Sequence, residues 1–134
     1  MLAYEVIREL QSEWYNLITV VPKRDQTMHL CIDFRKVNHM ARFDVYPMSR
    51  VEDLEKIRGA CFISTLDLSK GYWQIPMEEH AQEKVAFATP WGLYKFMHVP
   101  FGLHGAVATF QRLMDKVLSP YQDYEAAYID DVVV

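Results

Sequence analysis

Tyr128-Ile129-Asp130-Asp131 runs directly into Val132-Val133-Val134, so two adjacent carboxylates interrupt an apolar, β-prone run that begins near Glu125. This restricts the fold sharply. Neighbouring ionised carboxylates repel, and desolvation between strands raises the cost, so a proton is retained, a cation is bound, or the pair stands at a turn. The turn is the plainer reading, because Asp tolerates unusual backbone angles and bonds its own backbone in hairpins. Asp67 weighs on the choice: it closes the β-branched and aromatic run Cys61-Phe62-Ile63-Ser64-Thr65-Leu66, just before Ser69-Lys70-Gly71. One strand ending on an acid, and another supplying two more, is how all-oxygen sites for hard divalent cations are assembled. Two such ions, about 3.5–4 Å apart, suit in-line phosphoryl transfer. The spacing alone leaves open that these aspartates are unrelated surface residues.

The chain has 134 residues, one domain's worth, and 51% of them are hydrophobic, enough for a core. Fourteen Lys and Arg stand against 18 Asp and Glu, a net charge of −4, so the basic excess of a free-standing nucleic-acid binder is missing. Affinity for DNA or RNA then has to come from a local basic patch, from metal ions, or from other parts of a longer protein. Cys31 and Cys61 form no Cys-x-x-Cys pair and lie in apolar, strand-like runs, so we expect buried thiols in a reducing compartment. No signal peptide or membrane-length apolar run is present, which points to a soluble intracellular protein without membrane contact.

Along the chain, 1–9 reads as the tail of a helix leading into a connector. Leu17–Val21, closed by Pro22, and Leu30–Phe34 predict a hairpin whose tip, Lys23-Arg24-Asp25-Gln26-Thr27, is basic and polar. That tip is either a solvated turn or a finger closing over a triphosphate. An irregular stretch follows Asn38. Val51, Leu54 and Ile57, interleaved with charged residues, predict a short amphipathic helix ending at Gly59, followed by a strand from Cys61 to Asp67. Glu78–Glu83 reads as a helical turn, Lys84–Thr89 as a strand, Pro90-Trp91-Gly92 as a turn and Leu93–Val99 as the returning strand. Val107, Phe110, Met114, Val117 and Leu118 set the apolar stripe of a helix over 105–118, closed by Pro120. Gln111 and Arg112 fall off that stripe and face either a ligand cleft or solvent. His98 and His104 lack the register of a helical metal pair.

Five blocks, in this order and spacing, resemble the reverse transcriptase of gypsy-type long-terminal-repeat retroelements. They are Ile32-Asp33-Phe34-Arg35-Lys36-Val37-Asn38, Thr65-Leu66-Asp67-Leu68-Ser69-Lys70-Gly71-Tyr72-Trp73-Gln74-Ile75, Pro100-Phe101-Gly102-Leu103, Ala108-Thr109-Phe110-Gln111-Arg112-Leu113-Met114, and Tyr128-Ile129-Asp130-Asp131. The resemblance implies an α+β fold, part of a right-hand polymerase, with an antiparallel palm sheet backed by helices and β-rich fingers. It places fingers at 1–42 and 75–105 and palm at 43–74 and 106–134. The implied activity is RNA-directed DNA synthesis: the primer 3′-OH attacks the α-phosphate of a dNTP with two Mg²⁺, or Mn²⁺, at the site. Asp67 and Asp130 resemble the direct metal ligands, Asp131 the third carboxylate, and Leu68 lends its backbone carbonyl. Lys70 and Gly71 resemble backbone donors to the triphosphate, and Tyr72 resembles the aromatic gate that selects deoxyribose. Phe101 and Gly102 line the nucleotide pocket and Gln111 supports it. Lys23, Arg24 and His29 lie toward the triphosphate, and Arg35 resembles a template contact. Implied partners are an RNA or DNA template with its primer, dNTPs, and the rest of a polyprotein with thumb, connection and RNase H regions, in the cytoplasm or in virus-like particles.

The departures from the pattern are local. His29 stands where the family usually has an Arg, which predicts weaker nucleotide binding, because a neutral imidazole lacks the charge and fork of a guanidinium. Glu5 and Gln26 replace glycines, Val107 replaces a Pro, and Ser49 and Ala88 replace residues that commonly read Pro and Arg. The chain stops three residues past Asp131, so the second arm of the acidic hairpin is expected to be barely begun and a palm edge unpaired. The thumb has no counterpart in these residues. The alternative to a polymerase domain is an inactive retroelement relic or co-opted fragment that persists as a binding module.

Overall fold

Short β-branched runs broken by Pro, Gly and Asp produce short strands rather than long ones. The computed structural model describes residues 4–42, 44–47 and 58–134, and these form two compact units. The first unit comprises Met1–Arg42 and Tyr72–Leu103, the second Phe43–Gly71 and His104–Val134.

In the first unit, Ile7–Glu9, the end of the segment expected to be a helical tail leading into a connector, is a strand, β1. Its partner is a later hairpin, preceded by the short helix α2 (Glu79–Gln82). β5 (Phe87–Thr89) and β6 (Gly92–Phe96) are joined through Pro90-Trp91, and β1 adds antiparallel to β6, giving the order β1-β6-β5. A paired strand satisfies backbone groups that an isolated helical turn of so few residues leaves open. Val6, Phe34, Val85, Phe87, Tyr94 and Phe96 form the core, with the Phe87 and Phe96 rings 5.1 Å apart. Each fully buried side chain of this size contributes about 1.5–3 kcal/mol. Asn16 straps the sheet: its side-chain amide donates to the carbonyls of Lys84 and Ala86 at 3.0 and 2.8 Å.

β2 (Ile18–Pro22) and β3 (Met28–Ile32) form the expected hairpin as a separate antiparallel ribbon. The Asp25 carboxylate closes its tip by accepting from the Thr27 N–H and hydroxyl. The helix α1 (Arg35–Met40) follows, where the sequence suggested only a motif and an irregular stretch. Asp33 accepts from the Arg35 N–H at its start, and the Asn38 side chain donates to the Gly102 carbonyl, so local capping and one tertiary bond set it.

In the second unit, β4 (Thr65–Asp67), β7 (Ala126–Tyr128) and β8 (Asp131–Val133) form a sheet ordered β4-β8-β7. The arm expected to be barely begun is thus the central strand, paired on both sides. The first strand is shorter than the 61–67 expectation, although Ser64 and Val134 exchange backbone bonds beyond it. α3 (His104–Leu118) packs against β7. It buries Ala106, Ala108, Phe110, Gln111 and Met114, whereas Val107 and Val117, expected on the apolar stripe, are exposed. Three-residue strands reach about 10 Å and cover only the middle of a helix about 22 Å long. Gln111 therefore faces neither a cleft nor solvent. Cys31 is half-buried and Cys61 exposed, against the expectation of two buried thiols. The helix expected over 51–57 lies outside the described residues, as does Ser49.

Candidate active site at the acidic hairpin

Tyr128 pairs with Asp131, so Ile129 and Asp130 form a two-residue turn between β7 and β8. Such turns need a positive φ at their first central residue, a demand Gly or Asn usually meets. Here Ile129 meets it, at φ 57°. A β-branched side chain in that region is strained by about 1–2 kcal/mol, so the surroundings must hold the turn.

They do so through α3. Gln111 is fully buried; its Oε1 accepts from the Ile129 N–H at 2.9 Å, and its Nε2 donates to the Ala127 carbonyl at 3.1 Å. On the other side, the Leu68 N–H donates to the Asp130 carbonyl at 2.9 Å, tying the end of β4 to the turn. Asp67 is the register partner of Asp131. Opposed residues of an antiparallel pair share a face, so two carboxylates stand side by side there with Asp130 next to them in the turn. Like charges placed directly opposite destabilise a sheet unless something neutralises them.

The donor set, three carboxylates and the Leu68 carbonyl, has the hard-oxygen chemistry that suits Mg²⁺ or Mn²⁺. Among the described residues, no three Asp, Glu, His or Cys side chains are gathered into a ligand cluster. The backbone sets Asp67 opposite Asp131 and Asp130 next to them in the turn, without gathering the three side chains into a cluster.

Beyond β4, Lys70 takes φ 57° and the Gly71 N–H donates to the Leu68 carbonyl at 3.1 Å. The turn expected to aim donors at a phosphate thus has the Gly71 N–H engaged within itself, and the left-handed residue is Lys70, not the glycine. Gly71 serves a different need: a Cβ there would lie 2.8 Å from the Phe110 ring. Only glycine lets α3 approach this closely.

The remaining sequence-expected residues belong to the first unit. Tyr72 is buried, with its ring 5.1 Å from Phe101 and edge-on to it, while Gly102 takes φ 96° beside Phe34. Lys23 and Arg24 are at the exposed hairpin tip, and His29 is on β3 with its Nδ1 3.3 Å from the Cys31 sulfur. Arg35 grips Asp33 through Nε and a terminal nitrogen, at 2.8 and 2.6 Å. The hydrogen bonds from that side chain hold the Asp33 carboxyl down at about 2. Residue-by-residue reading missed Asp115 and Tyr46. Asp115 accepts from Gln111 Nε2 at 2.9 Å and from the Tyr46 hydroxyl at 2.7 Å. The first of these was legible in principle, as a Gln–Asp pair four apart on a helix.

The fold itself has close counterparts. The foamy virus protease–reverse transcriptase superposes with a TM-score of 0.84 over 99% of this chain and 18% of that one, at 23% identity. A second foamy virus structure, described as a complex with an RNA/DNA hybrid, gives a TM-score of 0.80 over 96% of this chain and 17% of that one, at 24% identity. The architecture is therefore that of an α+β portion of a polymerase fold. The sequence profile of the reverse transcriptase (RNA-dependent DNA polymerase) family matches residues 21–134, and the chain belongs to that family. It is 36% identical to the Pol polyprotein of the Drosophila melanogaster transposon 297 over its whole length, and 37% identical over 96% of it to that of transposon gypsy. It spans 13% of each polyprotein. An RNA-directed DNA polymerase homolog of Oenothera berteroana is 37% identical over 81% of this chain and 78% of its own length.

Proposed function

We propose that this chain is the nucleotidyl-transfer portion of a retrotransposon reverse transcriptase, adding a deoxynucleotide from a dNTP to a primer paired with an RNA or DNA template. The observation that carries the reading is the Asp67–Asp131 pairing beside Asp130, three acids brought by two strands and one turn. Two Mg²⁺ or Mn²⁺ ions, held by Asp67, Asp130, Asp131 and the Leu68 carbonyl, would supply charge stabilisation at the α-phosphate. The bond formed joins the primer 3′-oxygen to the α-phosphorus, the bond broken is the one to the bridging oxygen, and pyrophosphate leaves. Tyr72 and Phe101, one against the other, form an aromatic wall suited to a deoxyribose. Gly102, Lys70, Lys23, Arg24 and His29 serve the nucleotide, and Arg35 serves the template strand. Fingers at 1–42 and 75–105 and palm at 43–74 and 106–134 is a mapping supported by the division of the chain into two units near residues 42, 71 and 103. Foamy virus relatives solved with double-stranded DNA and with an RNA/DNA hybrid support nucleic-acid partners of the same kind. The other regions of a polyprotein are partners in the same sense, and the cytoplasm is the proposed location. Among the described residues no helix is long and apolar enough to cross a membrane.

The test is Mg²⁺-dependent primer extension on an RNA template, comparing the chain with Asp130→Asn and checking folding by circular dichroism. Extension by the parent alone supports the reading. A folded parent that extends nothing moves the isolated chain to the relic or binding-module alternative, which His29 in place of Arg already favours.

A further inference from the structure

Gln111 is a buried polar side chain whose amide has one workable orientation. The Asp115 carboxylate and the Ala127 carbonyl can only accept, and the Ile129 N–H can only donate. Nε2 must therefore face the first two and Oε1 the third. A flipped amide would set donor against donor at Ile129 and acceptor against acceptor at the other two. The Ala127 carbonyl and the Ile129 N–H are backbone groups of the very hairpin being held, so they cannot orient the amide independently of it. Asp115 can, because it lies one helical turn away on α3 and is anchored elsewhere. Its other carboxylate oxygen accepts from the Tyr46 hydroxyl at 2.7 Å. Tyr46 is itself held: the Arg112 guanidinium lies 4.8 Å from its ring centroid and pairs with Asp44 at 2.7 Å.

We propose that Asp115, anchored by the Tyr46 hydroxyl, is a positioning residue for nucleotidyl transfer, orienting the Gln111 amide that holds Ile129 and so placing Asp130 and Asp131. Its bearing on catalysis rests on the polymerase reading above; its bearing on the turn does not. The strained φ of Ile129 explains why such a device is needed. The Asp115 hydrogen bond also raises the Tyr46 phenol above its ordinary pKa, as expected of a hydroxyl committed as donor to a carboxylate.

The experiment is amide hydrogen exchange by NMR on the full ¹⁵N-labelled chain, with Mn²⁺ affinity measured in parallel by water-proton relaxation. In Asp115→Ala the Ile129 amide is expected to exchange about tenfold faster or more, while Val132 and Phe110 keep their protection. Asp115→Asn restores most of the protection, since its oxygen still accepts from Gln111, and Tyr46→Phe falls between. Mn²⁺ affinity falls in the same order. Unchanged exchange at Ile129, equal acceleration at Val132 and Phe110, or no rescue by Asn overturns the proposal. Should Asp115→Ala fail to fold, Tyr46→Phe, which keeps the ring, decides by the same criterion. A parent that takes up no Mn²⁺ refutes the metal reading, while Ile129 protection still decides the role of Asp115.

Discussion

Glu5 and Gln26 each occupy a left-handed backbone conformation, at φ 53° and 64°, at the two positions where the family pattern reads Gly. An L side chain there costs about 1–2 kcal/mol, and glycine removes that cost while adding some unfolded-state entropy. Glu5→Gly and Gln26→Gly should each stabilise the protein by about 0.5–1 kcal/mol, read as a higher urea midpoint at unchanged m-value. A lower midpoint would show that the side chains carry contacts of their own. The Asp33–Arg35 pair is also local. Because the Asp33 carboxyl is held down at about 2, its contribution is complete above the ordinary carboxylate range and is lost as pH falls through about 2. In Arg35→Ala the Asp33 titration, followed by carboxyl-carbon NMR, should move back up toward the ordinary range. The pair is exposed, so its effect on stability is small.

At the scale of elements, α3 and the turn after β4 are locked by a glycine and a ring. Phe110 is buried, and a Cβ at Gly71 would lie 2.8 Å from its ring tip. We expect Gly71→Ala to cost about 1–3 kcal/mol in chemical denaturation, and Phe110→Leu in the same chain to recover part of it. A simple sum of the two single effects would show that the contact is not what requires glycine. The same packing explains the helix's buried face. Periodicity correctly marked a helix ending near Leu118, but the strands it packs on are only three residues long, and Val107 and Val117 are exposed. Gln111 enters the core because Asp115, the Ala127 carbonyl and the Ile129 N–H engage its amide.

For the whole molecule, the proposed metal site sets charge repulsion between opposed carboxylates against the binding of a cation. Asp67 and Asp131 are paired across β4 and β8, like charges directly opposite, so Asp67→Asn should raise metal-free stability by a few tenths of a kcal/mol up to about 1. The parent should gain stability on adding Mg²⁺ or Mn²⁺, by about 2.7 kcal/mol at a hundredfold excess over Kd, and the variant much less. Thermal melts with and without the ions check both signs. Equal responses of parent and variant would show that Asp67 is not a ligand of the proposed metal site.

Sequence alone determined the family, the presence of a strand ending on Asp67 and of an apolar arm carrying Asp130 and Asp131, and the helix expected over 105–118, because block order, hydrophobic period and turn residues are local properties of the chain. It misplaced what depends on partners distant in sequence. The strand at Ile7–Glu9 exists because β6 offers an edge, and the central position of β8 exists because β4 and β7 both reach it. The three acids were legible as residues, whereas the Asp67–Asp131 register, the strained Ile129 and the Tyr46–Asp115–Gln111 chain that bears on it were decided by tertiary structure. Register and buried hydrogen bonds are satisfied only when separate segments meet, so no local pattern encodes them.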